Sequence, residues 1–340
     1  MATNTASDIF STVKNNVTKF DASTLGIPAL VLLIMAMLVI PLPPLILDIL
    51  FTFNILVGLI VIMVSIATQR PLEFSSFPGV LLLATMLRLA LNVASTRVVL
   101  VDGHNGPGAA GQVIQSFGEF VVGGNYVVGA IVFGILILIN FMVITKGAGR
   151  VSEVTARFTL DAMPGKQMAI DADLNAGVID SDLAKKRREE LSQEADFFGS
   201  MDGASKFVRG DAIAGLLILL INLVGGLIIG VAQHDLSFSE AGRVYSLLTI
   251  GDGLVAQIPS LFLSLATAII VTRVTTSESM TDQAKAQMAN PAALFISASI
   301  LLALGIIPGM PTNVFLTMGL IAAGIGFFVL QKSVAEKKEV

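Results

Sequence analysis

The longest polar stretch of the chain, residues 146–211, reads KGAGRVSEVTARFTLDAMPGKQMAIDADLNAGVIDSDLAKKRREELSQEADFFGSMDGASKFVRGD. It contains ten of the 21 Lys and Arg residues and 12 of the 25 Asp and Glu residues. Two long apolar stretches precede it and two follow it, and each is long enough to cross a bilayer twice. The chain therefore reads as four membrane crossings, a structured polar loop and four more crossings.

The composition excludes a soluble globular protein, because 54% of the residues are hydrophobic and the mean hydropathy is +0.83. Apolar runs of about 20 residues at about 1.5 Å each match a hydrocarbon core of roughly 30 Å. The strands of a membrane barrel would instead be about 10 residues of alternating character. The absence of Cys excludes disulfides, thiolate metal sites and cysteine nucleophiles. We predict an all-α polytopic membrane protein with eight transmembrane helices and a small helical cytoplasmic loop subdomain.

Turns rich in proline and glycine divide the apolar stretches into eight predicted spans. The spans are 25–40, 45–67, 77–101, 121–145, 212–232, 247–271, 291–307 and 312–331. A short surface helix through Gln115 and Glu119 is expected before the fourth span. The predicted domains are a cytoplasmic tail at 1–20, helices 1–4 at 21–145, the loop subdomain at 146–211, helices 5–8 at 212–331 and the start of a linker at 332–340.

The distribution of Lys and Arg predicts the orientation, because these residues are enriched in short cytoplasmic loops. With a cytoplasmic amino terminus, the outside segments hold Arg243 and Arg97. The inside segments hold the ten cations of the loop together with Lys14, Lys19, Arg70, Arg273, Lys285, Lys332, Lys337 and Lys338. We therefore expect both termini and the loop in the cytoplasm, and the first span retained as a signal anchor. The tail at 1–20 is either disordered or a short helix on the membrane surface.

Proline and glycine within the loop predict three helices, at 150–161, 166–176 and 180–197. The first ends at Met163-Pro-Gly165 and the second at Gly177, while Asp180 or Ser181 caps the third. The third helix carries the basic run at 185–188. This run is typical of a solvated helix face, and binding of anionic lipid or of an acidic partner is the alternative.

Arg88 lies about eleven residues into the third span, which places it near the middle of the membrane. An arginine there costs about 2.5–3.5 kcal/mol on insertion scales, so its side chain must face protein or water. Asn92 lies four residues later on the same helix face. Arg88 needs an acidic partner, and Asp48 and Asp252 are the candidates. Two interpretations are open: an ion pair that fixes packing between spans, or part of a water-lined proton or ion path.

Two other acidic residues lie in or beside the membrane. Asp252 has a glycine on each side and interrupts an otherwise apolar span. This pattern predicts either an intramembrane proton or cation site or an ordinary polar helix start at the outer surface. Asp48 follows the proline-rich turn at 41–44 and is typical of a solvated residue at a helix entry.

A charged cluster lies where the loop enters the fifth span, and it consists of Asp202, Lys206, Arg209 and Asp211. Glycines at 199, 203 and 210 give the backbone of this segment conformational freedom. A carboxylate beside two cations at a membrane entrance can accept protons from a pathway and switch a local conformation. The alternative is a salt-bridged helix start.

The sequence offers no positive case for an enzyme, because it contains no phosphate-binding glycine loop, nucleophile elbow or HExxH motif. We predict no catalytic residue, no metal site, no cofactor and no nucleic-acid partner. His104 and His234 lie in turn-like loops and are assigned no role. Gly226 and Gly230 form a weak motif for close helix contact.

The third span resembles the signature of the FHIPEP family of bacterial type III export gate proteins, with Phe77-Pro-Gly79 followed by Arg88-Leu-Ala-Leu-Asn-Val-Ala-Ser-Thr-Arg97. Loop segments 160–177 and 202–215 also match the family closely. Segment 194–206 looks more like the flagellar branch than the injectisome branch. The resemblance covers essentially the whole chain, and these motifs are long and specific.

The resemblance implies eight transmembrane helices with cytoplasmic termini in the bacterial inner membrane, and a homo-oligomeric ring of nine copies around the export channel. It also implies secretion of flagellar subunits driven by the proton motive force through a proton-conducting ring, with Asp202 matching a key loop aspartate. The implied partners are the export gate membrane subunits FliP, FliQ, FliR and FlhB, and membrane lipid. Family members carry a large soluble domain after the last span, which binds export substrates and chaperones. Because this sequence ends at Val340, we expect it to lack that docking half.

Two other functions are open on the sequence alone. A free-standing ion channel or secondary transporter would also use Arg88 and Asp252. A transporter should often contain internal repeats, and no clear repeat relates the two halves. A non-conducting scaffold, whose loop docks export partners, is the other possibility. Proton flux would distinguish a gate from a scaffold, and stoichiometric movement of a small solute would favour a transporter.

Overall fold

The computed structural model describes residues 22–273, 289–306 and 311–339, and within these ranges the chain is helical with short connections and no strand. The predicted all-helical class is therefore confirmed. A π-helical segment at Ile139–Thr145, here called the π-turn, joins α5 to α6. Short 3₁₀-helices at Pro71–Phe74 and Gly103–Asn105 flank α3. The α-helices are α1 (Ala22–Val39), α2 (Pro44–Ala67), α3 (Phe77–Asp102), α4 (Gln112–Val122), α5 (Tyr126–Leu138), α6 (Lys146–Asn175), α7 (Ser181–His234), α8 (Phe238–Thr272), α9 (Pro291–Ile306) and α10 (Thr312–Glu339). The tail at 1–20 lies outside the described residues.

Six helical segments of the described chain are long and apolar enough to cross a membrane. They are Pro44–Ala67, Phe77–Asn105, Tyr126–Asn175, Ser181–His234, Phe238–Thr272 and Thr312–Gln331. Two further predicted spans correspond to the shorter apolar segments Pro28–Val39 and Pro291–Ile306. A multi-pass membrane protein is confirmed, and the number of eight spans stays a prediction. The short helix expected before the fourth span is present as α4.

Helices α3 and α8 form the centre of the first of two compact units, Met1–Arg273. Their most apolar windows are 61% and 56% buried, compared with 11% for Tyr126–Asn175 and 17% for α7. One apolar cluster joins them to α2 through Leu47, Phe51, Leu91, Tyr245 and Leu248. The outer helices expose large apolar side chains, as expected of a surface that faces lipid. Polar side chains in the middle of α3 and α8, among them Arg88, Asn92 and Asp252, are therefore enclosed by protein.

The polar loop contains two long helices, and the prediction of three is wrong. Helix α6 continues through Pro164, and α7 continues past residue 197 into the membrane as one helix of 54 residues. Proline removes one backbone hydrogen bond, but apolar packing holds α6 on both sides of it. This packing joins Met163, Ile170 and Leu174 to Ile179, Ala184 and Leu191. Asp180 caps α7 as predicted, accepting a hydrogen bond from the Leu183 amide at 2.7 Å.

The basic run at 185–188 is partly paired within the loop. Arg187 binds Asp173 at 3.1 Å and Arg188 binds Asp171, so α7 is tied to α6 by two ion pairs. A third pair joins Lys166 to Glu194 at 3.0 Å. All these side chains are at least partly exposed, which agrees with the solvated face that the sequence favours.

The glycine segment at 199–210 is helical in the structure, and the predicted movement of this segment stays a prediction. Its opposite face is buried against the core of the unit through Phe197, Phe198, Met201, Ala204 and Val208. The three glycines face outward, and a Cβ atom at any of them would meet nothing within 4 Å. Burial of the apolar face therefore outweighs the low helix propensity of the glycines.

The second compact unit, Val274–Val340, is described at 289–306 and 311–339. Helices α9 and α10 pack against each other over small residues. A Cβ atom at Gly319 would lie 2.8 Å from Cγ of Leu302. Such contact is the usual way in which membrane helices approach closely.

Candidate functional site

Arg88 of α3 is 2% exposed and forms an ion pair with Asp211 of α7, which is equally buried. The prediction that Asp48 or Asp252 pairs with Arg88 is therefore wrong. Because α7 runs unbroken from the loop into the membrane, it brings the last residue of the polar stretch to the depth of Arg88. A buried guanidinium of this kind requires a counter-charge, and Asp211 supplies it.

Asp252 lies in the middle of α8 and is 2% exposed, so the interpretation as a polar helix start at the outer surface is wrong. Its Oδ2 accepts a hydrogen bond from Nδ2 of Asn222 of α7 at 3.1 Å. The glycines on either side do not loosen the helix. They allow close contact, since a Cβ atom at Gly253 would lie 2.5 Å from the Phe133 ring.

A cavity of about 60 Å³ connects the neighbourhoods of Arg88 and Asp252. At about 10–15 Å³ for each water, it can hold several water molecules. Four elements contribute polar side chains to its wall: α3, the π-turn, α7 and α8. These side chains are Arg88, Asn92, Asn140, Asp211, Asp252, Gln257 and Ser260. The predicted residues Arg88, Asn92, Asp211 and Asp252 are thus brought to one site.

The charges around the cavity do not balance when both acids are ionised. Among the described residues that line it, one is cationic, Arg88, and two are acidic, Asp211 and Asp252. Five buried acceptor oxygens at this site also have no hydrogen-bond partner among the described residues. They are the Oδ1 atoms of Asn92, Asn140, Asp211, Asn222 and Asp252. Buried acceptors are normally satisfied, so this site is suited to ordered water and to a proton or another small cation.

Sequence reasoning missed Asn140, Asn222, Gln257 and Ser260. A signal for the two asparagines was available, since each is an isolated amide within a long apolar run. Polar side chains in such runs face the protein interior. The order of the helices around the cavity was not predictable, because periodicity does not specify which helices are neighbours.

Asp48 is not part of the cavity lining. Its two carboxylate oxygens accept hydrogen bonds from the backbone amides of Gln112 and Val113, both at 2.9 Å. Asp48, on the neighbouring helix α2, therefore caps the amino terminus of α4. Its negative charge also interacts favourably with the positive end of the α4 dipole. Its predicted part in a proton path stays a prediction.

Asp202 lies on α7 nine residues before Asp211, about 14 Å along the helix axis. Its Oδ2 binds Nζ of Lys206 at 2.7 Å, and its Oδ1 is buried without a hydrogen-bond partner in the described chain. Arg209 lies against α6, where a Cβ atom at Gly149 would be 2.9 Å from its Nη2. The four residues of the predicted switch are therefore divided, with Asp211 at the cavity and Asp202 paired to Lys206.

Gly226 and Gly230 of α7 accommodate the ring of Tyr245 of α8, which confirms close helix contact at this weak motif. A Cβ atom at Gly230 would lie 2.7 Å from that ring, and Tyr245 is completely buried. Near the same end of the helices, the rings of His104 and His234 stack with centroids 3.6 Å apart. Among residues 22–273, 289–306 and 311–339, no group of three His, Asp or Glu is placed to hold a metal ion.

Comparison with known proteins identifies the family. The FHIPEP family model matches residues 34–340. The chain is 58% identical over 318 residues to flagellar biosynthesis protein FlhA of Proteus mirabilis, covering 92% of this chain and 46% of that protein. It is 60% identical over 319 residues to FlhA of Escherichia coli K12, with 92% and 46% covered. It is 54% identical over 332 residues to FlhA of Buchnera aphidicola subsp. Schizaphis graminum, with 97% and 48% covered.

The chain spans about half the length of the curated relatives it matches. No solved structure matches it. The family match covers far more than half of the chain, and it includes every residue of the charged cavity. The chain belongs to the FHIPEP family.

Proposed function

We propose that this chain is the membrane part of a flagellar protein export gate, and that protons moving through its cavity drive secretion. Family membership and the flagellar names of the FlhA relatives support the first half. One observation carries the second half: a partly enclosed cavity between the membrane helices is lined by two buried carboxylates and one buried cation. A buried charge without a counter-charge is costly, so this imbalance favours the uptake of a cation.

Asp252 is the proton carrier in this proposal. Asp211 is neutralised by its ion pair with Arg88, whereas Asp252 has a hydrogen bond from the neutral side chain of Asn222. A proton that enters through the cavity water binds the open Oδ1 of Asp252 and leaves later toward the cytoplasm. Uptake removes the surplus negative charge, and release restores it. The four-element site therefore alternates between two charge states.

Helix α7 couples the cavity to the loop. It carries Asn222 and Asp211 at the cavity and continues without interruption to Asp202 in the cytoplasmic subdomain. A change in the contacts of Asp252 therefore acts on a single rigid element that ends in the loop. There, Asp202 exchanges its pairing with Lys206 and Arg209, and the loop changes conformation during each export step.

The proposed assembly follows the family. It has eight membrane crossings with cytoplasmic termini, and nine copies form a ring with the membrane subunits FliP, FliQ, FliR and FlhB. Because the sequence lacks Cys, single cysteines can report the orientation. In intact cells an impermeant thiol reagent should label Asn105→Cys and Ser237→Cys, and should leave Ser192→Cys unlabelled. Labelling of Ser192→Cys from outside would reverse the orientation.

Proton flux into proteoliposomes tests the function. The purified chain should admit protons down an imposed gradient, measured with an entrapped pH-sensitive dye. Asp252→Asn should abolish the flux because the neutral amide cannot exchange a proton. Glu240→Gln is the matched control, since Glu240 is an exposed acid on the same helix and should not affect flux.

Three results would decide between the functions. Wild-type vesicles that assemble the oligomer but admit no protons would favour the non-conducting scaffold. A small solute that moves in fixed ratio with protons would favour a secondary transporter. Flux that persists in Asp252→Asn would contradict the role of this carboxylate.

A further inference from the structure

The π-turn at Ile139–Thr145 is the one departure from α-helical geometry that the structure shows within Tyr126–Asn175. Such turns contain an extra residue and are frequent at functional sites. The backbone amide of Lys146 bonds to the carbonyl of Phe141, five residues earlier, as expected for this geometry. The irregularity lies beside the cavity, since Asn140 and Phe141 are part of its wall.

The extra residue corrects the register of the buried face. Phe133 before the turn and Ser152 after it are both buried and lie nineteen residues apart. At about 100° per residue, nineteen steps exceed five full turns by about 100°, which is one residue. A regular α-helix would therefore rotate Ser152 away from the protein. The turn absorbs this difference while Ile139, Met142 and Val143 remain exposed on the outer surface.

We propose that the π-turn presents Asn140 as a positioning residue for proton transfer at Asp252, and this inference rests on the proposed function. The Oδ1 of Asn140 is buried and has no hydrogen-bond partner among the described residues. An amide offers both donors and an acceptor, so it can hold a water in either orientation. Asn140 therefore keeps a cavity water hydrogen-bonded to Asp252 in both of its charge states. The bond is stronger when Asp252 is ionised, because a hydrogen bond to a charged group is stronger than one between neutral groups.

The other polar groups around Asp252 lie on regular helices, and one of them, Asn92 of α3, also has a buried oxygen without a hydrogen-bond partner among the described residues. The charged groups that line the cavity are Arg88 from α3 and Asp211 from α7, and they pair with each other. Gln257 and Ser260 lie on α8, the same helix that carries Asp252. Asn222 already donates to Asp252, and the buried Ser95 hydroxyl of α3 also lies within hydrogen-bonding reach of that carboxylate. Asn140 is the polar contribution of the π-turn, and its position depends on that turn.

Carbodiimide labelling tests the role of Asn140 without relying on secretion. Dicyclohexylcarbodiimide reacts with protonated carboxyl groups in apolar surroundings, so labelling of Asp252 in the purified chain, followed by mass spectrometry, reports its protonation at each pH. Asn140→Leu should shift the midpoint of labelling upward by roughly one pH unit, about the effect of one lost hydrogen bond. Asn140→Asp should shift it further, because a second carboxylate repels the charge.

Deletion of Met142 isolates the turn from the side chain. It places Phe133 and Ser152 eighteen residues apart, five full turns of a regular helix, so both faces stay buried while the π-turn is lost. The labelling midpoint should shift although Asn140 is present. Met142→Leu, at the same exposed position, is the matched control and should match the wild type.

Unchanged midpoints in Asn140→Leu, Asn140→Asp and the deletion would overturn this inference. The same three unchanged midpoints would leave the proposed function intact, provided that labelling of the wild type still varies with pH and that proton flux persists. Labelling of wild-type Asp252 that is independent of pH, together with no flux, would instead contradict the proposed function. Size-exclusion profiles of each variant verify folding, and recovery of the wild-type midpoint by Asn140→Gln would exclude a merely structural role.

Discussion

Two of the carboxylates of helix α7, those of Asp202 and Asp211, form ion pairs in opposite surroundings. Asp211 and Arg88 have side chains that are 3% and 2% exposed, whereas Asp202 and Lys206 are 27% and 56% exposed. The first pair joins two helices, and the second joins residues four apart on one helix. Both carboxylates lie at the end of the same polar stretch, so sequence distance does not distinguish them.

This difference in burial gives the two pairs different roles: the buried pair stabilises the fold, and the exposed pair is free to change during function. Removing one partner of a buried pair is strongly destabilising, because the other charge is left in a poor solvent. An exposed pair at this spacing contributes about 0.3–0.5 kcal/mol and can exchange partners freely. Loss of function through the buried pair is therefore ambiguous, and loss of function through Asp202 would identify a specific role.

The largest effect is expected for Arg88→Ala, which leaves Asp211 buried and unpaired. We expect a loss of about 3–5 kcal/mol in the free energy of unfolding, and impaired secretion. Thermal unfolding of the detergent-solubilised protein measures the first. Arg97→Ala is a suitable control, because Arg97 is an exposed arginine on the same helix with one backbone hydrogen bond, to Val39. It should cost no more than about 1.5 kcal/mol.

Removing both charges sharpens this result. Arg88→Met combined with Asp211→Leu removes both members of the pair and leaves Asp252 as the remaining acid of the cavity lining, so the free energy of unfolding should lie closer to the wild-type value than that of Arg88→Ala. Proton flux should nevertheless remain impaired, since the cavity loses its cation. Full secretion and normal assembly in Arg88→Ala alone would refute the requirement for the pair.

A smaller loss is expected for Arg88→Lys, which keeps the charge and loses the planar fork of the guanidinium. Weaker hydrogen bonding to Asp211 should lower the free energy of unfolding by about 1.5–3 kcal/mol. Secretion should be partly retained. A variant as unstable as Arg88→Ala would show that geometry, more than charge, stabilises this contact.

Much of the architecture could be predicted, because apolar length and charge segregation are local properties of the sequence. The six candidate spans and the short helix α4 follow from them. The end of the loop helix at 197 was wrong because glycine suggested flexibility, whereas tertiary burial of Phe198 and Met201 extends α7. Burial against distant helices is invisible to local propensity.

Several residues of the site could be predicted from the sequence, but the contacts between them could not. Arg88 and Asp252 are recognisable because charge in an apolar span is costly. The partner of Arg88 depends on the path of α7, and the wrong assignment followed from treating Asp211 as a loop residue. Asn140 depends on a π-turn, whose extra residue leaves no clear signal in an apolar run.

Gly203→Ala tests whether the exposed face of α7 must loosen near Asp202. Gly203 lies inside the helix, and a Cβ atom there meets nothing within 4 Å. Alanine should therefore raise the free energy of unfolding by about 0.5–1 kcal/mol. If the segment unwinds during export, the same change should slow secretion. Faster or unchanged secretion in the stabilised variant would indicate that α7 moves as a rigid rod.

The smallest effect on stability, and the most specific effect on function, is expected for Asp202→Asn. The variant removes the exposed pair with Lys206, at a cost of about 0.3–0.5 kcal/mol, and is equivalent to a permanently protonated aspartate. Secretion should stop because the loop is held in one of its two states. Asp202→Glu keeps the charge and should retain part of the activity.

Secretion and ring assembly measured together, in cells that depend on this gene, decide the role of Asp202. Lys206→Gln is the matched control, since it removes the same ion pair and keeps the ionisable carboxylate. It should secrete better than Asp202→Asn if proton exchange, rather than the pair, is required. Normal secretion by Asp202→Asn would exclude the switch. Failure of Asp202→Asn to assemble would make Asp202 a structural residue. Asp202 and Asp211 would then both have structural roles and would differ only in burial.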